Sequence, residues 1–250
     1  MSEDLTCARQ LALPFDEPVH FGAGDFIEAD SNRAARLALA ALDTWVNARL
    51  VLWGEAGCGK SHLAHIWAKL HDAVVIDAAR LREPISAQSA AILIEDIDTT
   101  AAPVALFATL ERATATQQFV LMTSRTAPAR MVIELPDLRS RLRASLTIQI
   151  DPPETDLLDT LLFHLAATRQ LSLPLSLHHF LLNRLPRRPS VLREAIARLD
   201  RYALALGTAP SRRIAMRLLG ELADPPETEH ETDIKGNRDR FYDSETPSLL

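Results

Sequence analysis

Short, almost wholly apolar runs recur through the first 150 residues: Leu50-Val51-Leu52-Trp53, Ala73-Val74-Val75-Ile76, Ala91-Ile92-Leu93-Ile94, Phe119-Val120-Leu121-Met122 and Leu146 to Ile150. A strand without polar alternation is covered on both faces. Strands of four or five residues separated by helices therefore predict a parallel sheet between two helical layers. The intervening helices are Asn32 to Val46, capped by Asp30 or Ser31; the stretch from Ser61, with Leu63, Ile66, Trp67 and Leu70 at helical spacing; Val104 to Ala113; and Pro136 to Arg143. After Asp151-Pro152-Pro153 the strand pattern stops. Glu154 to Arg169, Leu175 to Arg184, Pro189 to Leu206 and Ser211 to Leu222 all repeat with helical period, broken by Pro174, Pro186, Pro189 and Gly207-Thr208-Ala209-Pro210. The pattern divides the chain into an extended arm (1–22), an α/β domain (23–152), a small all-helical domain (153–222) and a tail (223–250).

Between the first strand and the next helix lies Gly54-Glu55-Ala56-Gly57-Cys58-Gly59-Lys60-Ser61, a complete G-x-x-x-x-G-K-[ST] phosphate loop. Its glycines allow backbone N–H groups to turn inward around a di- or triphosphate. Lys60 can reach the β- and γ-phosphates, Ser61 can hold Mg²⁺, and the helix that follows presents its positive end. The expected ligand is ADP or ATP with Mg²⁺. Some thirty residues later, Ile92-Leu93-Ile94 ends in Glu95-Asp96. In phosphate-loop NTPases a strand of this kind delivers one carboxylate towards the metal and another towards the attacking water, so Glu95 is a candidate Mg²⁺ ligand and Asp96 a candidate for water activation.

Composition limits the alternatives. The chain has 250 residues, 47% of them apolar, enough for one or two cored domains. No apolar run is long enough to span a bilayer and Met1-Ser2-Glu3-Asp4-Leu5 has no secretory pattern, so a cytoplasmic location is expected. Cys7 and Cys58 form no disulfide or metal framework. The pairs His62/His65 and His178/His179 read as exposed helix residues. Of the net charge of −6, residues 223–250 hold −5, with eight acidic and three basic residues, and this tail reads as disordered. The folded part is near neutral and lacks the basic bias of a nucleic-acid binder.

These motifs, in this order, resemble the AAA+ ATPases of the bacterial initiator subgroup, the DnaA-related proteins. Asp25 to Asn32 resembles the segment leading into that family's first helix and bordering the adenine, with Ile27 at the base. Gly57-Cys58-Gly59-Lys60-Ser61-His62-Leu63 resembles its phosphate loop, including His62 after the hydroxyl residue. Leu121-Met122-Thr123-Ser124 falls where the sensor 1 strand ends. Pro136-Asp137-Leu138-Arg139-Ser140-Arg141-Leu142 resembles the arginine-finger segment, and Val191-Leu192-Arg193-Glu194 the sensor 2 helix of the lid. The resemblance implies an α/β AAA+ P-loop core followed by an all-helical lid, with Gly54, Gly57, Cys58, Gly59, Lys60, Ser61, His62, Ile27 and Arg193 at the nucleotide. It makes Arg141 a finger acting in trans. Two departures stand out: an initiator has two Asp residues where this chain has Glu95-Asp96, and an Asp where it has Arg125. Both lower the expectation of efficient hydrolysis of its own nucleotide.

Arg9-Gln10-Leu11-Ala12-Leu13-Pro14-Phe15 resembles the Q-L-x-L-P-[LF] peptide by which bacterial proteins dock on the replication sliding clamp. Leu13 and Phe15 would fill an apolar pocket, with Gln10, Leu11 and Pro14 completing the contact. Gln170-Leu171-Ser172-Leu173-Pro174-Leu175 fits the same pattern, but at a junction between helices, where its leucines are expected in the core. An initiator-like ATPase without a helix-turn-helix domain, preceded by a clamp peptide, is similar to the Hda family of DnaA inactivators. That likeness implies the clamp β subunit and DnaA as partners, DNA only through the clamp, no membrane, and a possible homodimer. It implies an activator of DnaA's hydrolysis more than an independent enzyme. A self-sufficient DnaA-like or helicase-loader ATPase and a nucleotide-stabilised adaptor are the alternatives.

Overall fold

A computed structural model of the chain describes residues 22–86 and 88–223. The Gln10–Phe15 peptide and nearly all of the acidic tail lie outside the described residues. Five strands, β1 (Arg49–Trp53), β2 (Val74–Asp77), β3 (Ala91–Glu95), β4 (Phe119–Ser124) and β5 (Leu146–Gln149), form one sheet in the order β2-β3-β4-β1-β5. Every pairing is parallel. Parallel strands require crossovers: α2 (Lys60–Leu70), α3 (Pro103–Ala115) and α4 (Pro136–Arg143) supply three, and residues 78–90, with a 3-10 turn, link β2 to β3. β1 and β3 are buried on both faces except at their last residue, whereas the edge strands β2 and β5 alternate. Val51, Ile92, Ile94, Val120 and Met122 pack with Leu106, Leu110, Leu138 and Leu142 of α3 and α4. Leu50, Leu52, Leu93 and Leu121 face the opposite way, onto Ala35 and Leu39 of α1 (Asp30–Ala40) and Leu63, Ala64 and Trp67 of α2. The two-residue side-chain period thus feeds two cores.

α1 differs from its expected bounds at both ends. It begins at Asp30, with Ala29 as N-cap, and the Ala29 N–H donates to Asn32 Oδ1 at 3.2 Å. It stops at Ala40 because Trp45 folds back: its Nε1–H donates to the Ala38 carbonyl at 2.7 Å and its ring stacks on Trp67 at 5.3 Å. Short 3-10 turns and positive φ values at Asn47 and Ala48 then lead into β1.

The C-terminal helices are α5 (Thr155–Thr168), α6 (Leu175–Arg184), α7 (Pro189–Leu206) and α8 (Arg212–Ala223). They enclose their own core, including Leu162, Leu177, Leu181, Leu192, Ile196 and Leu199. Leu171 and Leu173 of the second Q-L-x-L-P-L copy pack against it, but Leu175 is exposed, contrary to its expected burial. His178 is fully buried rather than exposed: its Nε2–H donates to Asp159 at 2.7 Å and its ring stacks on Phe163. No helix among the described residues is long and apolar enough to cross a membrane.

Two long-range ties join these helices to the segment around α1. Glu154, the N-cap of α5, accepts from Ser31 N–H at 2.7 Å and Ser31 Oγ–H at 2.8 Å. His164 Nε2 lies 3.2 Å from Asp25 Oδ1. Glu154's own backbone N–H and then the Ser31 hydroxyl hold its carboxyl below the ordinary 4.5. A depressed carboxylate contributes stability above its unfolded pKa and loses it as pH falls through the folded one. Glu154→Gln, which keeps the shape and removes the charge, should therefore melt below the parent protein at neutral pH, and the gap should close on acidification. Thermal melts across the acid range check this; an undiminished gap in acid would show that the carboxylate charge is not the cause.

Candidate functional site

The phosphate loop crosses from the C-terminal end of β1 to α2, where β1 lies between β4 and β5. Ligands of open α/β sheets gather at such carboxyl ends. Two glycines are required by geometry. A Cβ on Gly54 would stand 2.4 Å from the Ile150 carbonyl oxygen, and Gly59 has φ +103, in the left-handed region. Gly59 is the N-cap of α2, so the unpaired N–H groups of the helix start face the loop. Lys60 is buried, and its Nζ donates to the carbonyls of Gly54 and Glu55, both at 2.8 Å, with Cys58 Sγ at 3.7 Å. The ammonium thus rests on loop carbonyls within the cradle.

Glu95 ends β3 beside this loop, and Asp96 follows it. Glu95 Oε2 lies 2.9 Å from His65 Nε2 on α2. Asp96 has φ +50, and its N–H donates to Oγ1 of the buried Thr123 at 2.9 Å, so the end of β4 fixes the turn. Burial raises the Asp96 carboxyl pKa, Asp98 and Glu95 add to the rise, and Arg125 and Lys60 oppose it. Arg125, the departure noted in the sequence, donates its N–H to Asp98 at 3.2 Å. Its charge therefore acts on the same acidic turn. A hydroxyl at Ser61 and a carboxylate at Glu95 are hard oxygen donors of the kind that hold Mg²⁺ alongside phosphate oxygens, so the residues fit that ion. Among the described residues no cluster of three or more His, Cys, Asp or Glu could hold a metal.

A shallow cleft, open to solvent, adjoins the loop. The segment before α1 lines it with Asp25, Phe26 and Ile27, and the loop and α2 contribute Cys58, Gly59 and His62. The C-terminal helices close the other side with Leu157, Leu161, Pro189 and Arg193. Ile27, Cys58, Gly59, His62 and Arg193, distant in sequence, thus share one cleft. His62 is buried rather than exposed; its Nε2–H donates to the Gly22 carbonyl at 2.9 Å, and Phe26 packs edge-on at 5.3 Å. Burial lowers the His62 pKa, the Gly22 bond partly offsets this, and nearby Arg193 lowers it further. His62 is therefore neutral near pH 7, with Nδ1 turned to Arg193 Nη2 at 3.5 Å. Arg193 is half-buried and makes no ion pair among the described residues, which leaves its charge available to an anion in the cleft. Asp25 and Phe26 were not singled out individually in the sequence; only their place beside Ile27 pointed to them.

Arg141 lies elsewhere. On α4, it pairs with Glu111 of α3, Nε to Oε1 at 2.7 Å and Nη2 to Oε2 at 2.9 Å. Glu111 Oε1 is also 4.0 Å from Nη2 of Arg49, the first residue of β1. From there the strand runs about 13 Å to the phosphate loop. Arg141 is therefore on the opposite end of the sheet from Lys60.

No protein-family model matches the sequence, and no curated protein does. Solved structures do. Domain III of the Thermotoga maritima replication initiation protein DnaA is similar with a TM-score of 0.68 and 18% identity over 82% of this chain and 98% of that one. The Thermotoga maritima RuvB Holliday junction branch migration motor matches with a TM-score of 0.59 and 17% identity, covering 78% of this chain and 70% of that one. AMPPCP-bound DnaA from Aquifex aeolicus gives 0.56 and 16% identity, covering 69% and 62%. The chain shares the fold of the DnaA and RuvB domains.

Proposed function

We propose that the chain is a DnaA-related AAA+ protein that binds ADP or ATP with Mg²⁺ and acts, as the Hda family does, by stimulating hydrolysis of the ATP held by DnaA. The AMPPCP-bound DnaA of the same fold supports a nucleotide in the loop. In this reading Lys60 and the loop N–H groups hold the phosphates, Ile27, Phe26 and His62 border the base, and Arg193 reaches the phosphates from the helical lid α5–α8. Mg²⁺ held by Ser61 and Glu95 would neutralise phosphate charge. The Gln10–Phe15 peptide docks the protein on the clamp β subunit, DNA is met through the clamp, and the work is done in the cytoplasm.

One observation carries the proposal: Arg141 is exposed at the end of the sheet remote from its own phosphate loop. A guanidinium there is out of reach of the chain's own phosphate loop and would act on a nucleotide brought by another molecule. A second reading, a self-sufficient ATPase of the initiator or helicase-loader kind, is favoured by Asp96, whose turn stands in the field of Lys60. One assay separates them: hydrolysis of DnaA·ATP with and without this protein, clamp and DNA. Stimulation that needs the clamp supports the regulator. DNA-dependent turnover in the absence of DnaA supports the ATPase, and no turnover in any mixture leaves a nucleotide-stabilised adaptor.

A further inference from the structure

We propose that Glu111 is a positioning residue that aims Arg141 and is itself anchored by the buried Arg49; the inference rests on the reading of Arg141 as a finger. Arg49 opens the central strand β1, in register with Val120 of β4, and is only 2% exposed. Its Nη2 donates to Thr114 Oγ1, whose hydroxyl in turn donates to the Leu110 carbonyl at 2.8 Å. Its Nε is buried without a hydrogen-bond partner among the described residues. A buried guanidinium so poorly satisfied depends on a nearby carboxylate, and Glu111, one turn before Thr114 on α3, supplies it. Glu111 thus stands 4.0 Å from a buried cation at the start of the central strand, and the attraction between them is electrostatic.

That carboxylate then accepts a hydrogen bond from Arg141 Nη2 at Oε2, and its Oε1 lies 2.7 Å from Nε as an ion-pair contact. Nη1 has no partner among the described residues and remains for another anion. The backbone beneath Arg141 is equally constrained, since Leu138 and Leu142 on either side of it are buried against α3. Two guanidinium groups on one carboxylate leave the cluster with a net positive charge. An incoming phosphate compensates that charge instead of competing for a neutral pair. An isolated surface Arg would spend side-chain entropy in finding the phosphate; one held at two nitrogens has already lost most of it. Glu111 touches no nucleotide in this arrangement and acts only through Arg141.

The test uses the full chain in the DnaA·ATP hydrolysis assay with clamp and DNA. Glu111→Gln should lower the maximal stimulated rate about tenfold and leave the concentration for half-maximal stimulation unchanged. Arg141→Ala, run alongside, should abolish stimulation. If it does not, the finger reading fails and this inference with it. If Arg141→Ala abolishes stimulation and Glu111→Gln leaves the rate unchanged or raises it, the finger stands and Glu111 does not position it. Because Glu111→Gln strands the Arg49 charge, the double variant Arg49→Met, Glu111→Gln removes that burden on folding. A tenfold defect persisting in the double variant supports positioning, whereas recovery of the full rate shows that Glu111 only serves to neutralise Arg49.

Discussion

Arg141→Ala should reduce the stimulated hydrolysis of DnaA-bound ATP to the partner's basal rate, a loss of about a thousandfold, the lower end of the range over which arginine fingers act. Nucleotide binding by this chain should be unaffected, because Arg141 and Lys60 sit at opposite ends of the sheet. Charge accumulates on the transferred phosphoryl group, and a guanidinium brought into a closed interface stabilises it far more than water does. Lys is no substitute. Its three N–H donors radiate from one nitrogen and cannot span the distance that a planar guanidinium bridges between Glu111 and a phosphate on its far side, so Arg141→Lys should behave nearly as badly as Ala. Single-turnover hydrolysis of radiolabelled ATP on DnaA measures both variants. A rate unchanged by Arg141→Ala would remove Arg141 from the reaction.

What was legible in the sequence was local. The strand cores Leu50–Leu52 and Ile92–Ile94 announce themselves because a strand covered on both faces needs no polar position. The loop from Gly54 to Ser61 is legible for a similar reason, since its glycines, lysine and hydroxyl act within eight consecutive residues. The rest depends on partners distant in the chain. The end of α1 was missed because Trp45 closes it by folding onto Ala38 and Trp67. Histidines 62 and 178 read as exposed because an imidazole suits water and core equally. Their burial follows from the Gly22 carbonyl and from Asp159, neither adjacent in sequence. Arg49 looks like the polar edge of a strand, and Glu111 like a solvated helix residue. Their relation to Arg141 exists only once α3 and α4 have packed side by side. The clefts and ion clusters that carry specificity are products of the fold, whereas a phosphate cradle is largely a product of the chain.

Lys60→Ala should weaken binding of ADP or ATP about a hundredfold, the loss expected when charge-assisted bonds to phosphate, worth about 1.5–3 kcal/mol each, are removed. The structure explains why no neighbour compensates. Lys60 is 6% exposed at the first turn of α2, and its ammonium is already inside the loop, 2.8 Å from the carbonyls of Gly54 and Glu55. It exchanges those carbonyls for phosphate oxygens with little desolvation cost. Arg193 approaches from the helices on the other side of the cleft, so it adds a contact to the phosphates without replacing a donor inside the loop. Melting with ligand gives a reading independent of any hydrolysis. At a nucleotide concentration about a hundred times the parent Kd, binding adds about 2.7 kcal/mol to stability, and a hundredfold weaker site adds about 0.4 kcal/mol. The nucleotide-dependent rise in Tm should therefore nearly vanish in Lys60→Ala and remain whole in Arg141→Ala. A Lys60→Ala protein that keeps the full rise would show that the loop does not bind phosphate in the way its geometry indicates.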